Sequence, residues 1–162
     1  MGRVGVQHPR RKSPRLKSFD YASSNAVFFA TSRTKDGKAL FKQHEIATKF
    51  IECVKEAKTN LGHAVYVYCI MPDHFHLLCS PCESRVPITR LIELIKSKVT
   101  RLAWGYGFCG SIFQRSFYDH VVRKDEDLGQ IAQYILNNPV RKGLVNEWRD
   151  YPYCGLLDPL PL

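Results

Sequence analysis

The stretch Val65-Tyr66-Val67-Tyr68-Cys69-Ile70-Met71-Pro72-Asp73-His74-Phe75-His76-Leu77-Leu78-Cys79-Ser80 holds two β-prone runs joined by a turn. Val65–Ile70 is rich in Val and Tyr, Met71-Pro72-Asp73 reverses the chain, and His74–Ser80 returns as a second strand. The pattern predicts an antiparallel hairpin. On a strand, alternate side chains share a face. His74 and His76 therefore point one way, while Phe75 points the other way with Leu77, into a core. Two adjacent imidazoles are half of a site for a divalent ion. They are equally two surface histidines on the polar face of a hairpin, and His-x-His alone does not choose.

On the N-terminal side, Val27–Thr31 is a short apolar run with β character, and Lys35-Asp36-Gly37-Lys38 after it is a turn signal. Ile46, Ala47, Phe50, Val54 and Ala57 recur at helical spacing, and Gly62 closes that helix. On the C-terminal side, Pro87 opens a second helix whose apolar stripe is Ile88, Leu91, Ile92, Ile95, Val99 and Leu102. Gly105, Gly107 and Gly110 interrupt it. Ser111–Val122 is aromatic and β-prone, and predicts one or two strands. Asp125–Asn138 is helical, with Leu128, Ala132 and Ile135 on one face. Pro139 disfavours α geometry at Asn138, so the helix is expected to end there. The order strand, helix, hairpin, helix, strand, helix predicts one α+β domain with helices packed on an antiparallel sheet.

A chain of 162 residues suits one domain with a sizeable core. No apolar run approaches the roughly 18 residues that span a bilayer, and the N-terminus has no apolar signal region. Six cysteines in a chain of this size do not resemble a disulfide framework, and Cys53, Cys69 and Cys79 fall in helix-like or strand-like runs, which suits a reducing cytoplasm. The net charge is +9. Much of it comes from Arg3, Arg10, Arg11, Lys12, Arg15 and Lys17 in residues 1–18, where there is no acid. That stretch lacks periodicity and reads as a flexible basic arm. It suits a polyanionic partner, and equally a solubilising tail.

Three further features carry chemistry. Gln130, Tyr134 and Asn138 form an i, i+4, i+8 stripe bordering the apolar face of the last helix, so Tyr134 can lean over the sheet. A tyrosine beside a metal can act as a nucleophile; a tyrosine at a helix boundary also commonly packs its ring and wets its hydroxyl. Arg115, Arg123, Lys124, Arg141 and Lys142 are interleaved with Phe113, Phe117 and Tyr118. Basic groups beside aromatic faces suit single-stranded nucleic acid, and also a solvated edge over core aromatics. Asp119-His120 is a further acid–imidazole pair without a role assigned by spacing. Cys79-x-x-Cys82 has no second cysteine pair to complete a zinc site and no thioredoxin-like context. No Gly-rich phosphate loop is present, so no nucleotide cofactor is expected.

Taken together, Met71-Pro72-Asp73-His74-Phe75-His76-Leu77-Leu78, Phe113-Gln114-Arg115-Ser116-Phe117-Tyr118-Asp119-His120-Val121-Val122-Arg123 and Tyr134-Ile135-Leu136-Asn137-Asn138-Pro139-Val140-Arg141-Lys142-Gly143-Leu144-Val145 resemble three motifs of the HUH single-tyrosine transposases, in order, and specifically the REP-associated tyrosine transposases. The resemblance runs over roughly residues 10–153. It implies a ferredoxin-like or RRM-like α+β sandwich over residues 19–153, between a basic arm at 1–18 and a C-terminal tail at 154–162. It implies His74 and His76 as ligands of Mg²⁺ or Mn²⁺, Tyr134 as the nucleophile and Asn138 as a third ligand. The implied reaction is nicking and strand transfer on single-stranded DNA carrying REP-like palindromic hairpins, through a 5′-phosphotyrosine, in the bacterial cytoplasm. Arg10, Arg11, Lys12, Arg15, Arg115, His120, Arg123, Arg141 and Lys142 are the expected DNA contacts. Monomer and homodimer are both open. The competing reading is a non-catalytic RRM-like nucleic-acid-binding module.

Overall fold

A computed structural model describes residues 20–22, 26–123 and 125–161. The expected basic arm with Arg10, Arg11, Lys12 and Arg15, and also Lys124, lie outside the described residues. The elements follow in the order β1 (Phe28–Arg33), α1 (His44–Leu61), β2 (Ala64–Met71), β3 (His74–Ser80), α2 (Ile88–Gly105), β4 (Tyr118–Val121), α3 (Leu128–Leu136), α4 (Asn138–Arg141) and β5 (Cys154–Leu156). The strands make one sheet in the order β4-β1-β3-β2-β5, every pairing antiparallel. The first four strands and two helices have the βαββαβ order of a ferredoxin-like sandwich, as the sequence predicts.

The predicted hairpin is β2–β3, with Met71 opposite His74 and Pro72-Asp73 as the connection. Its register shifts between Val65 and Val67, leaving Tyr66 as an extra residue. The bulge breaks the period of two, and Tyr66 and Val67 both join the same apolar cluster. Elsewhere alternation holds. Phe28, Ala30, Phe75, Leu77 and Cys79 face α1 and α2 in the main core. Phe75 is fully buried, edge-on to Phe50 at 5.0 Å between centroids. On the opposite face Phe29, Cys69, Met71 and Leu78 pack with Ala132, Ile135 and Leu136 of α3. The sheet is thus covered by helices on both sides, and the second cover is a single short helix. Among the described residues, no helix is long and apolar enough to cross a membrane.

Two sequence expectations need correction. The tail expected from residue 154 begins as β5, which pairs Cys154 with Cys69, Gly155 with Tyr68 and Leu156 with Val67. Tyr151 anchors the approach by donating its hydroxyl to the Ile70 carbonyl at 2.6 Å. Gly155 is needed there because a Cβ would sit 3.0 Å from the Tyr68 hydroxyl. The last helix also differs from the predicted 125–138. It starts at Leu128 because Asp127 caps it, accepting from the amides of Gly129 at 2.8 Å and Gln130 at 3.2 Å. It ends at Leu136, and Asn138 begins a new turn, α4, with Pro139 in its first turn. Proline needs no N–H there, so it starts a helix as readily as it stops one.

Candidate active site

Three elements converge on the α3 side of the sheet. β3 presents His74 and His76, whose rings lie 4.8 Å apart between centroids, nearly perpendicular. β1 lies alongside with Thr31 opposite His76 and Arg33 opposite His74. The α3–α4 junction lies over them with Tyr134 and Asn138. His74 Nδ1 is 2.6 Å from Asp73 Oδ1, and His76 Nδ1 is 2.7 Å from Thr31 Oγ1. Each ring is therefore held by its Nδ1. With Asp73 accepting the Nδ1 proton of His74, the Nε2 lone pair of His74 is left to act as a ligand. Asn138 Nδ2 stands 3.4 Å from that Nε2, in a buried position.

The electrostatics keep His74 neutral. Burial pushes its imidazole below the ordinary value, and the Asp73 carboxylate offsets this only in part. For Asp73 itself burial pushes the carboxyl up, but the hydrogen bond and charge of His74, with Arg33 nearby, outweigh it and hold the group below the usual carboxylate range. Cys69 lies opposite His76 on β2. Its hydrogen bond with Cys154 and its burial push the thiol up, which favours its protonated form.

Tyr134 is partly exposed, at 38 %. Its ring meets Phe29 edge-on at 6.4 Å, and Phe29 in turn stacks on His76 at 5.5 Å. Phe29 thus lies between the tyrosine and the imidazole pair. The Arg141 guanidinium also lies over the Tyr134 ring, 3.8 Å from its centroid. Phe29, Thr31 and Arg33 were not singled out by sequence reasoning. The signal available for them is alternation in Phe28–Arg33, which puts these three on one face of a strand that neighbours the His pair.

The remaining expected DNA contacts are more dispersed. Arg115 and Arg123 are exposed on either side of β4. Lys142 is exposed just after α4, close enough for its charge to act on His74. Asp119 and His120 point to opposite faces. Asp119 is fully buried, whereas half-buried His120 binds both oxygens of Glu126 at 2.9 and 3.0 Å. The partner of this imidazole is therefore a carboxylate six residues on, not its neighbour. All six cysteines are free; Cys79 is in the core and Cys82 is half-buried in a turn of its own.

Comparison with known proteins agrees with this arrangement. The family described as "Transposase IS200 like" matches residues 23–138. A Haemophilus influenzae protein named "Putative REP-associated tyrosine transposase" is 35% identical over 147 residues, covering 84% of this chain and 82% of its own length. The REP-associated tyrosine transposase of Escherichia coli K12 is 24% identical over 136 residues, covering 82% of this chain and 77% of its own. Among solved structures, a REP-associated tyrosine transposase bound to a REP hairpin superposes with a TM-score of 0.66 at 21% identity, covering 82% of this chain and 77% of that one. The α+β sandwich is shared with that enzyme. With the family pattern spanning most of the chain and a relative similar along most of its length, this chain belongs to the IS200-like transposases, in the group of REP-associated tyrosine transposases.

Proposed function

We propose that this transposase nicks and rejoins single-stranded DNA next to a hairpin, through a covalent bond to Tyr134, with a divalent ion at His74, His76 and Asn138. The observation that carries the reading is the approach of Asn138 to His74 at 3.4 Å, because it brings the segment that carries Tyr134, four residues earlier, over the strand that carries the imidazole pair.

The residues fit a metal ion. Both imidazoles have Nδ1 engaged, and burial keeps His74 in the neutral form that ligation requires. Rotation of the Asn138 amide exchanges its nitrogen for its oxygen, turning the present donor into a ligand. Among the described residues no three His, Cys, Asp or Glu side chains gather as ligands, so the donor set is two nitrogens and one amide oxygen, without thiolate. Such a set suits Mn²⁺ more readily than Mg²⁺, whose preference is for oxygen. When bound, the ion supplies Lewis-acid stabilisation of charge on the scissile phosphate.

The chain's own residues do the rest. Tyr134 Oη gives its proton to solvent and attacks phosphorus, the bond from phosphorus to the 3′ oxygen breaks, and that oxygen takes a proton from solvent and leaves as a 3′-hydroxyl. The 5′ side stays joined to Tyr134 as a phosphodiester. Attack by a 3′-hydroxyl reverses the step, so rejoining needs no nucleotide. Arg33 and Lys142, whose charges both act on His74, supply positive charge that suits a phosphate near the imidazole pair. A hairpin substrate is supported by the structural likeness to a transposase bound to a REP hairpin.

The test is to incubate the full chain with hairpin-containing single-stranded DNA and Mn²⁺, and resolve covalent adducts on a denaturing gel. Tyr134→Phe is expected to abolish the adduct while binding survives, and excess chelator to stop cleavage. An adduct that persists in the variant overturns the Tyr134 assignment. Salt-sensitive binding with no adduct under any divalent ion favours the non-catalytic binding module instead.

A further inference from the structure

The contact between Arg141 and Tyr134 is doubled. The guanidinium carbon lies 3.8 Å from the ring centroid, and Nη1 donates to the Tyr134 backbone carbonyl at 2.7 Å. That carbonyl belongs to the last turn of α3, where helical acceptors lose their partners. Arg141, the last residue of α4, reaches back to cap the helix and lays its charge over the ring in the same pose. Phe29 meets the ring at its other contact. The tyrosine ring is thus contacted by an arginine from α4 and a phenylalanine from β1, although it is partly exposed.

We propose that Arg141 is a positioning residue for the nucleophile, rather than one of the DNA contacts suggested by its place in a basic cluster. It fixes the ring direction and ties Tyr134 to the helix that carries Asn138. Nη1 donates to the carbonyl and the guanidinium carbon sits over the ring, so both observed contacts of Arg141 are with Tyr134. Lysine would not substitute, having no plane to stack and no fork to reach both partners. This inference rests on the reading of Tyr134 as the nucleophile.

The test compares Arg141→Met and Arg141→Lys with the unmodified chain. Hairpin single-stranded DNA affinity is measured by anisotropy at several salt concentrations, and adduct formation in single turnovers at saturating DNA with Mn²⁺. Both variants are expected to slow the saturated step by roughly 10- to 100-fold, with affinity and salt dependence unchanged. Weakened binding, a salt slope lower by about 1 and an unchanged saturated rate would overturn the proposal in favour of a phosphate contact. A second readout does not depend on activity. In protein labelled with 3-fluorotyrosine, the Tyr134 signal is assigned by its loss in Tyr134→Phe, and it is expected to shift in Arg141→Met without DNA. An unmoved signal in the folded variant overturns the clamp. If the unmodified chain forms no adduct, the nucleophile reading fails, and the fluorine signal still reports whether Arg141 holds the ring.

Discussion

Thr31 holds His76 by one hydrogen bond of 2.7 Å, and that bond fixes which imidazole nitrogen faces the candidate metal position. Thr31→Val keeps the β-branched shape that a strand favours and removes only the hydroxyl. Loss of such an orienting bond typically costs about 10-fold or more in metal affinity. Titration of Mn²⁺ into this variant is expected to show that weakening with the melting temperature little changed; equal affinity would mean the ring is held by packing on Phe29 alone. At this scale the sequence was partly legible. His74, His76, Tyr134 and Asn138 could be picked out because their chemistry is rare and their spacing regular. Thr31 and Phe29 could not, because an aromatic and a hydroxyl on an apolar strand look like core until the partner strand is known. Strand pairing is a long-range fact, and nothing in Phe28–Arg33 says that β3 lies beside it.

At the scale of elements, α3 carries Tyr134, the proposed nucleophile, on nine residues, too few to be stable as an isolated helix. Its start depends on the Asp127 cap. Asp127→Ala is expected to cost about 1 kcal/mol, read as a lower urea midpoint with an unchanged slope; no loss would mean that packing of Ala132, Ile135 and Leu136 alone sets the helix. The long amphipathic helices were legible because their apolar stripes repeat over several turns. Two elements were not. β5 has three residues, one of them glycine, and its pairing is set by Tyr151 and Tyr68 rather than by a pattern of its own. The α4 turn contains a proline that reads as a stop, since the same residue suits a first helical turn and local sequence does not tell them apart.

Across the whole molecule, one sheet face is given to the core under α1 and α2 and the other is shared between α3 and the site. The junction of α1, β2 and the start of α2 includes His63, which is buried, donates Nε2–H to the Val86 carbonyl at 2.8 Å, and has no partner for Nδ1 among the described residues. Burial lowers its pKa below the ordinary value of 6.5, with the Val86 carbonyl opposing in part. The unfolded chain thus binds the second proton more readily than the folded one. The contribution of His63 is fully present above about pH 6.5 and fades as the pH falls through the folded pKa. Urea unfolding near neutrality and in mild acid is expected to show His63→Gln, which keeps a donor to Val86, losing less stability on acidification than the unmodified chain; equal losses would assign the pH dependence to other groups. Asn138 and His74, the pair on which the proposed centre turns, are 64 residues apart in sequence. Each half of the centre is local: a short strand carries the imidazoles and one helical junction carries the tyrosine and the amide. The centre therefore exists only while α3 is docked. A local opening that lifts this one helix would take the two halves apart and leave the rest of the sheet intact, so chemistry and global unfolding need not share a transition.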